Sequence, residues 1–469
     1  MSKTQSNGDA SPSRRRPWLI VGASGAALSM IAAGGLVWWK AQGPEHLTTE
    51  PLSKHAIAQT ASDTAWEWDP PEGAEVFTVR PIPSGVAVQL DDGVVALDGV
   101  TGEPTWRYRR ADASLSAAST TPDTRLLALA FEKEQQEEQD RSDPALEDLL
   151  VLDTSTGEIV GQQEIGEARP HRIVNSPVPG PRGATQHLPA SGIHQVTNDA
   201  RIELGARGFV AYSLTEDSEL WENGTAFPRV SEDDAISDSY TGQTAVSGDT
   251  VVSSRLTVNS ESRHDWTYEV VALDARTGEV RWEGGWSIGD GRGHPDPTFT
   301  LGPDSLALRL YPEEEGLLLD LESGEEIVSG LWPEEGDLIA LTGEGYVSVN
   351  RTGDDRGVLY FGRDGEVEHQ LEPNGVSEDL DRTLVLPTTE AFIALGPDPD
   401  DPDRGVLTVD DWASGTRQAT LDAGWVPGDQ EALGPSIGWS AEPTPFLRQV
   451  PGAIVALNPA TGGITAFTP

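Results

Sequence analysis

The chain has 469 residues, no cysteine, 50 glycines, 34 prolines and a formal net charge of −45. That charge argues against a nucleic-acid or anionic-lipid ligand, because phosphate would be repelled. The missing cysteines exclude disulfide staples, thiolate metal sites, a thiol nucleophile and a lipid-modified cysteine anchor, while 37% hydrophobic residues still provide material for a core.

The charge is uneven. Residues 1–40 hold Lys3, Arg14, Arg15, Arg16 and Lys40 against Asp9, a net +4 that leaves −49 for the remainder. Between Arg16 and Lys40 lies an uncharged stretch of 22 residues, Trp18 to Trp39. As a helix it spans about 33 Å, enough to cross a bilayer core. Trp18 stands at one end and Trp38 and Trp39 at the other, where amphipathic rings favour the headgroup level. Arginines before it and acids after it (Glu45, Glu50) predict a cytoplasmic N-terminus and an extracytoplasmic remainder. A cleaved signal is the alternative, ending near Ala41-Gln42-Gly43 or using Arg15-Arg16-Pro17-Trp18-Leu19 as a twin-arginine export motif. Length favours the uncleaved anchor. The layout is thus a cytoplasmic tail (1–17), a transmembrane helix (18–39), a polar aperiodic linker (40–62) and one domain (63–469).

That domain is a repeat. VVALDGVTGEPTW (94–106), LLVLDTSTGEIVG (149–161), FVAYSLTEDSELW (209–221) and VVALDARTGEVRW (270–282) share one plan: an apolar run, a polar turn and a second strand. LLLDLESGEEIV (317–328), VLYFGRDGEVEH (358–369), VLTVDDWASGTRQA (406–419) and IVALNPATGGITAF (454–467) follow it too. The turn position, Gly102, Gly157, Asp217, Gly278, Gly324, Gly365, Gly415 and Gly462, recurs at intervals of 55, 60, 61, 46, 41, 50 and 47 residues. A period near 50 with about four strands per unit predicts an all-β fold, an eight-bladed β-propeller, with seven blades as the alternative. The runs are apolar at every position, as in strands covered on both faces. Asp98, Asp153, Asp274, Asp320, Asp411 and Asn458 each precede the turn glycine by four residues, where a short acceptor can bind turn amides. Trp106, Trp221 and Trp282 follow the turn position by four and are predicted to pack between blades. Thr64-Ala65-Trp66-Glu67-Trp68 reads as a further outer strand that closes the last blade beside residues 463–467 and removes a free edge.

Ala-Leu-Asp-x-x-Thr-Gly-Glu-x-x-Trp, as in Ala272 to Trp282 and nearly so in Ala96 to Trp106, resembles the PQQ-like β-propeller repeat. That repeat builds the quinoprotein alcohol dehydrogenases and the outer-membrane assembly propeller lipoproteins. The resemblance covers roughly 62–469; the units at Asp217, Gly365 and Gly415 depart furthest from the motif. It implies fold far more than function. The dehydrogenase branch implies a vicinal cysteine pair over the quinone and a Glu/Asn/Asp set around calcium; the first is absent and no residues match the second. The reading is therefore no cofactor, with PQQ or calcium kept only in the enzyme alternative.

Other catalytic patterns are weak. Gly434-Pro435-Ser436-Ile437-Gly438 matches a nucleophile elbow in letters but lacks the strand and helix that chemistry needs. Gly289-Asp290-Gly291-Arg292-Gly293 is no nucleotide fingerprint, and the histidines, His171, His187 and His194 included, read as solvated loop residues. If each blade's strands are lettered A to D outward from the axis, the long insertions fall on B–C and D–A connections, which share one face. Acid gathers in the B–C loops, Asp91 and Asp92 included; such runs are commonly just solvated surface, and the functional reading takes Asp398, Asp400, Asp401 and Asp403 as the candidate binding face, for a basic protein partner or divalent cations. The composite reading is a bacterial, single-pass, membrane-anchored propeller that binds or scaffolds envelope proteins. The alternatives are a PQQ- or calcium-dependent oxidoreductase and an extracellular sensor module.

Overall fold

A computed structural model describes residues 44–132, 146–166, 195–205, 208–227, 240–258, 266–288, 297–310, 315–331, 336–350, 357–371, 384–398, 400–427 and 446–469. Two compact units divide the chain, 1–45 and 46–469, and the ring is the second. The expected transmembrane helix and its flanks, Arg14, Arg15, Arg16, Trp18, Trp38 and Trp39, lie outside the described residues, as do His171, His187, His194 and the 289–293 and 434–438 loops.

Eight antiparallel sheets follow in sequence order, one per repeat, so the count is eight rather than seven. The blades span 76–109, 115–166, 200–223, 240–288, 298–329, 336–371, 385–422 and 447–468. Blade 8 takes its outermost strand, Asp63–Trp68, from the start of the ring, with Trp66 opposite Ala466 and Trp68 opposite Ile464. Closure therefore joins the two ends of the chain and leaves no unpaired edge on Ile464–Thr468. In blade 3 the innermost position holds only the isolated Val196–Arg201 bridge. Blade 1 carries a fifth strand, in which His46 and Leu47 run outside Pro104–Arg109.

The core is eight apolar layers, one between each pair of adjacent blades. This explains runs without alternation. In Gly93–Asp98, Val95 and Leu97 face the layer shared with blade 8, while Val94 and Ala96 face the layer shared with blade 2. Both faces of each sheet are interior, so successive side chains pointing opposite ways are all buried.

The repeated turn is the joint between blades. Its glycines at 102, 157, 278 and 324 have φ of 72°, 75°, 72° and 73°, the left-handed region. Against each lies the outer-strand tryptophan of the preceding blade: Trp66, Trp106, Trp221 and Trp282. Their indole Nε1 atoms donate to Gly99 O (3.0 Å), Thr154 O (2.8 Å), Ala275 O (3.1 Å) and Leu321 O (2.9 Å) of the next blade's turn. A Cβ on Gly278 would stand 2.3 Å from Trp221 Cε3. The glycine is thus required twice, by its backbone angle and by the ring that occupies its side-chain space.

Four joints lack that tryptophan and are built differently; from blade 7 to blade 8, Thr465 Oγ1 donates to Ala423 O (3.3 Å). From blade 2 to blade 3, Gly161 lets the Leu214 backbone come close while Gln163 Nε2 donates to Ser213 O, Leu214 O and Glu216 O. From blade 5 to blade 6, Val328 packs on Gly365. From blade 6 to blade 7 the indole comes from the other side. Trp412, in the turn of blade 7, packs against Tyr360, His369 and Phe392 and donates to Thr388 O at 3.0 Å.

Candidate binding faces

Because strand direction alternates, A–B and C–D turns share one face (the turn face), and B–C and D–A connections share the other (the loop face).

On the turn face the motif aspartates cap their turns with one oxygen, and Asp98, Asp274 and Asp320 use the other as well. Asp98 Oδ1 accepts from Val100 N (3.0 Å), Thr101 N (2.9 Å) and Thr101 Oγ1 (3.1 Å), while Gly102 N donates to Asp98 O (2.8 Å). Asp153, Asp274 and Asp320 cap their turns in the same way. That second oxygen faces a basic side chain: Asp98 Oδ2 meets His55 Nε2 at 3.1 Å, Asp274 Oδ2 meets Arg281 at 2.7 Å, and Asp320 Oδ2 meets Arg363 at 3.1 Å. Burial by itself would raise the Asp98 carboxyl, but the His55 and turn hydrogen bonds outweigh it and hold it below the usual carboxylate range. Arg281 does most to lower Asp274. Asp320 ends lowered because its turn bonds and Arg363 overcome burial, and Ser414 lowers Asp411. Gly415 and Gly462 close the corresponding turns of blades 7 and 8 onto Asp411 O and Asn458 O. The motif residues thus serve the joints.

The A–B turns form an inner circle. Asp123 and Asp199 share Arg125, and Asp249 pairs with Arg276 at 3.1 Å. Asp304, Glu344 and Glu390, at the A–B turns of blades 5, 6 and 7, are exposed. Acid is therefore not confined to the loop face, where the sequence concentrated it.

Residues 46–62, read from sequence as linker, run across the turn face over the seam of the ring. His46 Nε2 bonds Gly157 O (2.7 Å), Thr49 N donates to Thr156 O (3.0 Å) and Leu52 N to Ser155 O (3.4 Å), all in the blade 2 turn. His55 N then reaches Pro83 O (3.0 Å) in blade 1, and Gly452 N of blade 8 donates to Ala56 O (2.8 Å). Ala58 and Ala61 are buried in the layer between blades 7 and 8, and Gln59 O accepts from Thr388 Oγ1 (2.6 Å) of blade 7. The segment lacks periodicity because it follows turns rather than a sheet or a helix face.

On the loop face, Asp398 is structural. Its N donates to Arg404 O (2.7 Å), its Oδ1 accepts from Asp400 N (2.9 Å) and its Oδ2 pairs with Arg404 (3.3 Å). Arg404 also reaches Asp422 at 3.2 Å. Asp400, Asp401 and Asp403 are exposed. Among the described residues no three acids or histidines stand close enough to hold a metal ion. Asp92, in the B–C turn of blade 1, is 12% exposed and takes a two-pronged bond from Arg109 (Nε–Oδ1 2.9 Å, NH2–Oδ2 2.8 Å). Arg110 bonds Asp148 at 3.1 Å and covers the Phe131 ring at 5.1 Å. No sequence signal paired these groups, because their partners lie 17 and 38 residues away.

No protein-family model matches the chain, and no curated protein sequence does. Among solved structures it is similar to BamB from Moraxella catarrhalis, at 14% identity and a TM-score of 0.43, over 88% of this chain and 100% of that one. A eukaryotic initiation factor matches at 10% identity and 0.41, over 79% and 85% of the two chains. The dihydro-heme d1 dehydrogenase NirN matches at 13% identity and 0.39, over 81% and 78%. The eight-bladed ring itself rests on the eight sheets described above.

Proposed function

We propose that this propeller is a binding or scaffold module for a basic protein partner, carried on the extracytoplasmic side of a membrane by the 18–39 segment. One observation carries the reading: basic charge is spent inside the ring. Arg109, Arg110, Arg125, Arg281, Arg363, Arg404 and Arg417 each hold a carboxylate of the same chain, while Asp304, Glu344, Glu390, Asp400, Asp401 and Asp403 stand exposed. A surface with that excess of acid attracts cationic partners at long range, and the attraction weakens with salt. The motif residues, occupied in joints, fit a rigid platform. Membrane attachment and sidedness are supported by the length, flanking charge and terminal tryptophans of 18–39.

Crosslinking in cells, followed by mass spectrometry of the full-length protein, tests this. The expected result is a membrane-associated protein whose crosslinks fall on acidic surface segments and fade as salt rises. Dye-coupled alcohol oxidation on adding quinone and calcium would instead establish the enzyme alternative and overturn the scaffold reading.

A further inference from the structure

The segment over the seam is attached unevenly. From His46 to Ile57 no side chain is buried; Leu47 and Ile57 are 46% and 55% exposed. This stretch is held by the strand pairing of His46 and Leu47 with Pro104–Arg109 at its start and otherwise by polar bonds to turns of blades 2, 1 and 8. From Ala58 onward the attachment changes in kind: Ala58 and Ala61 enter an apolar layer, and Asp63–Trp68 is a strand of blade 8. Local opening takes least free energy where little apolar surface is buried and backbone bonds lie near solvent.

We propose that residues 46–57 are a clasp that opens and closes over the seam while the ring stays folded, hinged at Ala58, with His55 and Asp98 as its charge-sensitive catch. Asp98 suits the task because its Oδ1 is committed to the turn, so the carboxylate is fixed and presents Oδ2 to His55. A doubly protonated His55 makes an ion pair there; a neutral one leaves only a hydrogen bond from its Nε2–H to the carboxylate. Among the described residues, Asp98 is the ionisable group facing His55. The Pro83-Ser84 and Pro451-Gly452 turns beside it bring no charge, and Lys54, its neighbour in the clasp, is exposed. The clasp therefore closes while His55 is protonated and Asp98 ionised, and loosens as His55 loses its proton.

Hydrogen exchange of the full-length protein, corrected for the intrinsic rate at each pH, tests this on the amides of Thr49, Leu52 and His55. Their protection is expected to fall by about two- to fivefold from pH 6 to pH 8, the scale of a half-exposed ion pair. Blade-core amides such as Val88 should hold their values. His55→Gln keeps a hydrogen-bonding group without the charge, and Asp98→Asn keeps the turn cap; each should flatten the pH dependence. The proposal is overturned if protection does not change with pH, if it still changes in His55→Gln, or if these amides exchange only with the blade cores as denaturant is added.

Discussion

The joint between blades 3 and 4 gives a quantitative test of why the motif needs glycine. Gly278 sits at φ 72°, and a Cβ there would lie 2.3, 2.6 and 2.8 Å from three carbons of the Trp221 ring. Gly330 has nearly the same angle, φ 73°, but nothing within 4 Å of the added carbon. Gly330→Ala should therefore cost only the left-handed backbone term, about 1–2 kcal/mol. Gly278→Ala adds forced displacement of a buried indole hydrogen-bonded to Ala275 O, a further 1–3 kcal/mol or about 2–5 kcal/mol in all. In a Trp221→Ala background the ring is gone, and Gly278→Ala should fall back to the Gly330→Ala cost. Guanidinium melts of the four variants, followed by circular dichroism, supply the double-mutant cycle, with an expected coupling of about 1–3 kcal/mol. Equal shifts for Gly278→Ala and Gly330→Ala, or no coupling to Trp221, would refute the account of the motif as a joint.

Other outcomes follow from the same geometry. Asp92→Ala removes the two-pronged bond to an Arg109 guanidinium that is only 11% exposed, and should cost about 1–3 kcal/mol in thermal or chemical unfolding. Gln163→Ala removes three turn contacts and opens the blade 2 to blade 3 joint; the Leu214 and Thr215 amides should exchange faster while blade 6 is unchanged. Asp98, Asp274 and Asp320 are lowered in the folded state, so their stabilisation is present above the ordinary carboxylate range near about 3.9 and is lost as pH falls through their folded values. The melting temperature should be flat on that account from pH 5 upward and drop below pH 4, and Asp274→Asn should shrink the drop. Replacing residues 398–404 by a two-residue turn should leave the circular dichroism spectrum and melt unchanged, because the loop's described hydrogen bonds close on itself and on Asp422.

The repeat period, the doubly covered strands, the turn aspartates and glycines and the borrowed strand of blade 8 were all legible in the sequence. Each is local. A turn is written in five residues, and a strand between two layers shows its burial in its own composition. Trp66 could be read as an outer-strand residue because it sits in a copy of the motif context. The candidate surface was legible only in part. Asp400, Asp401 and Asp403 are exposed as an acidic run suggests, but Asp398 is bound into its loop and Asp92 is neutralised within the sheet.

The sequence by itself determined the repeat and what each joint turn is made of, because both show within stretches of some 15 residues, while the structure decided for eight blades over seven. The tertiary structure decided which carboxylates are spent and which stay exposed. It decided that Trp412 and Gln163 stand in at joints without the usual indole, and that an aperiodic segment closes the seam. Those outcomes depend on pairs brought together by the packing of blades and by ring closure, such as Gln163 with Ser213 across 50 residues and Gln449 with Ala58 across 391, and no local pattern encodes such a pair.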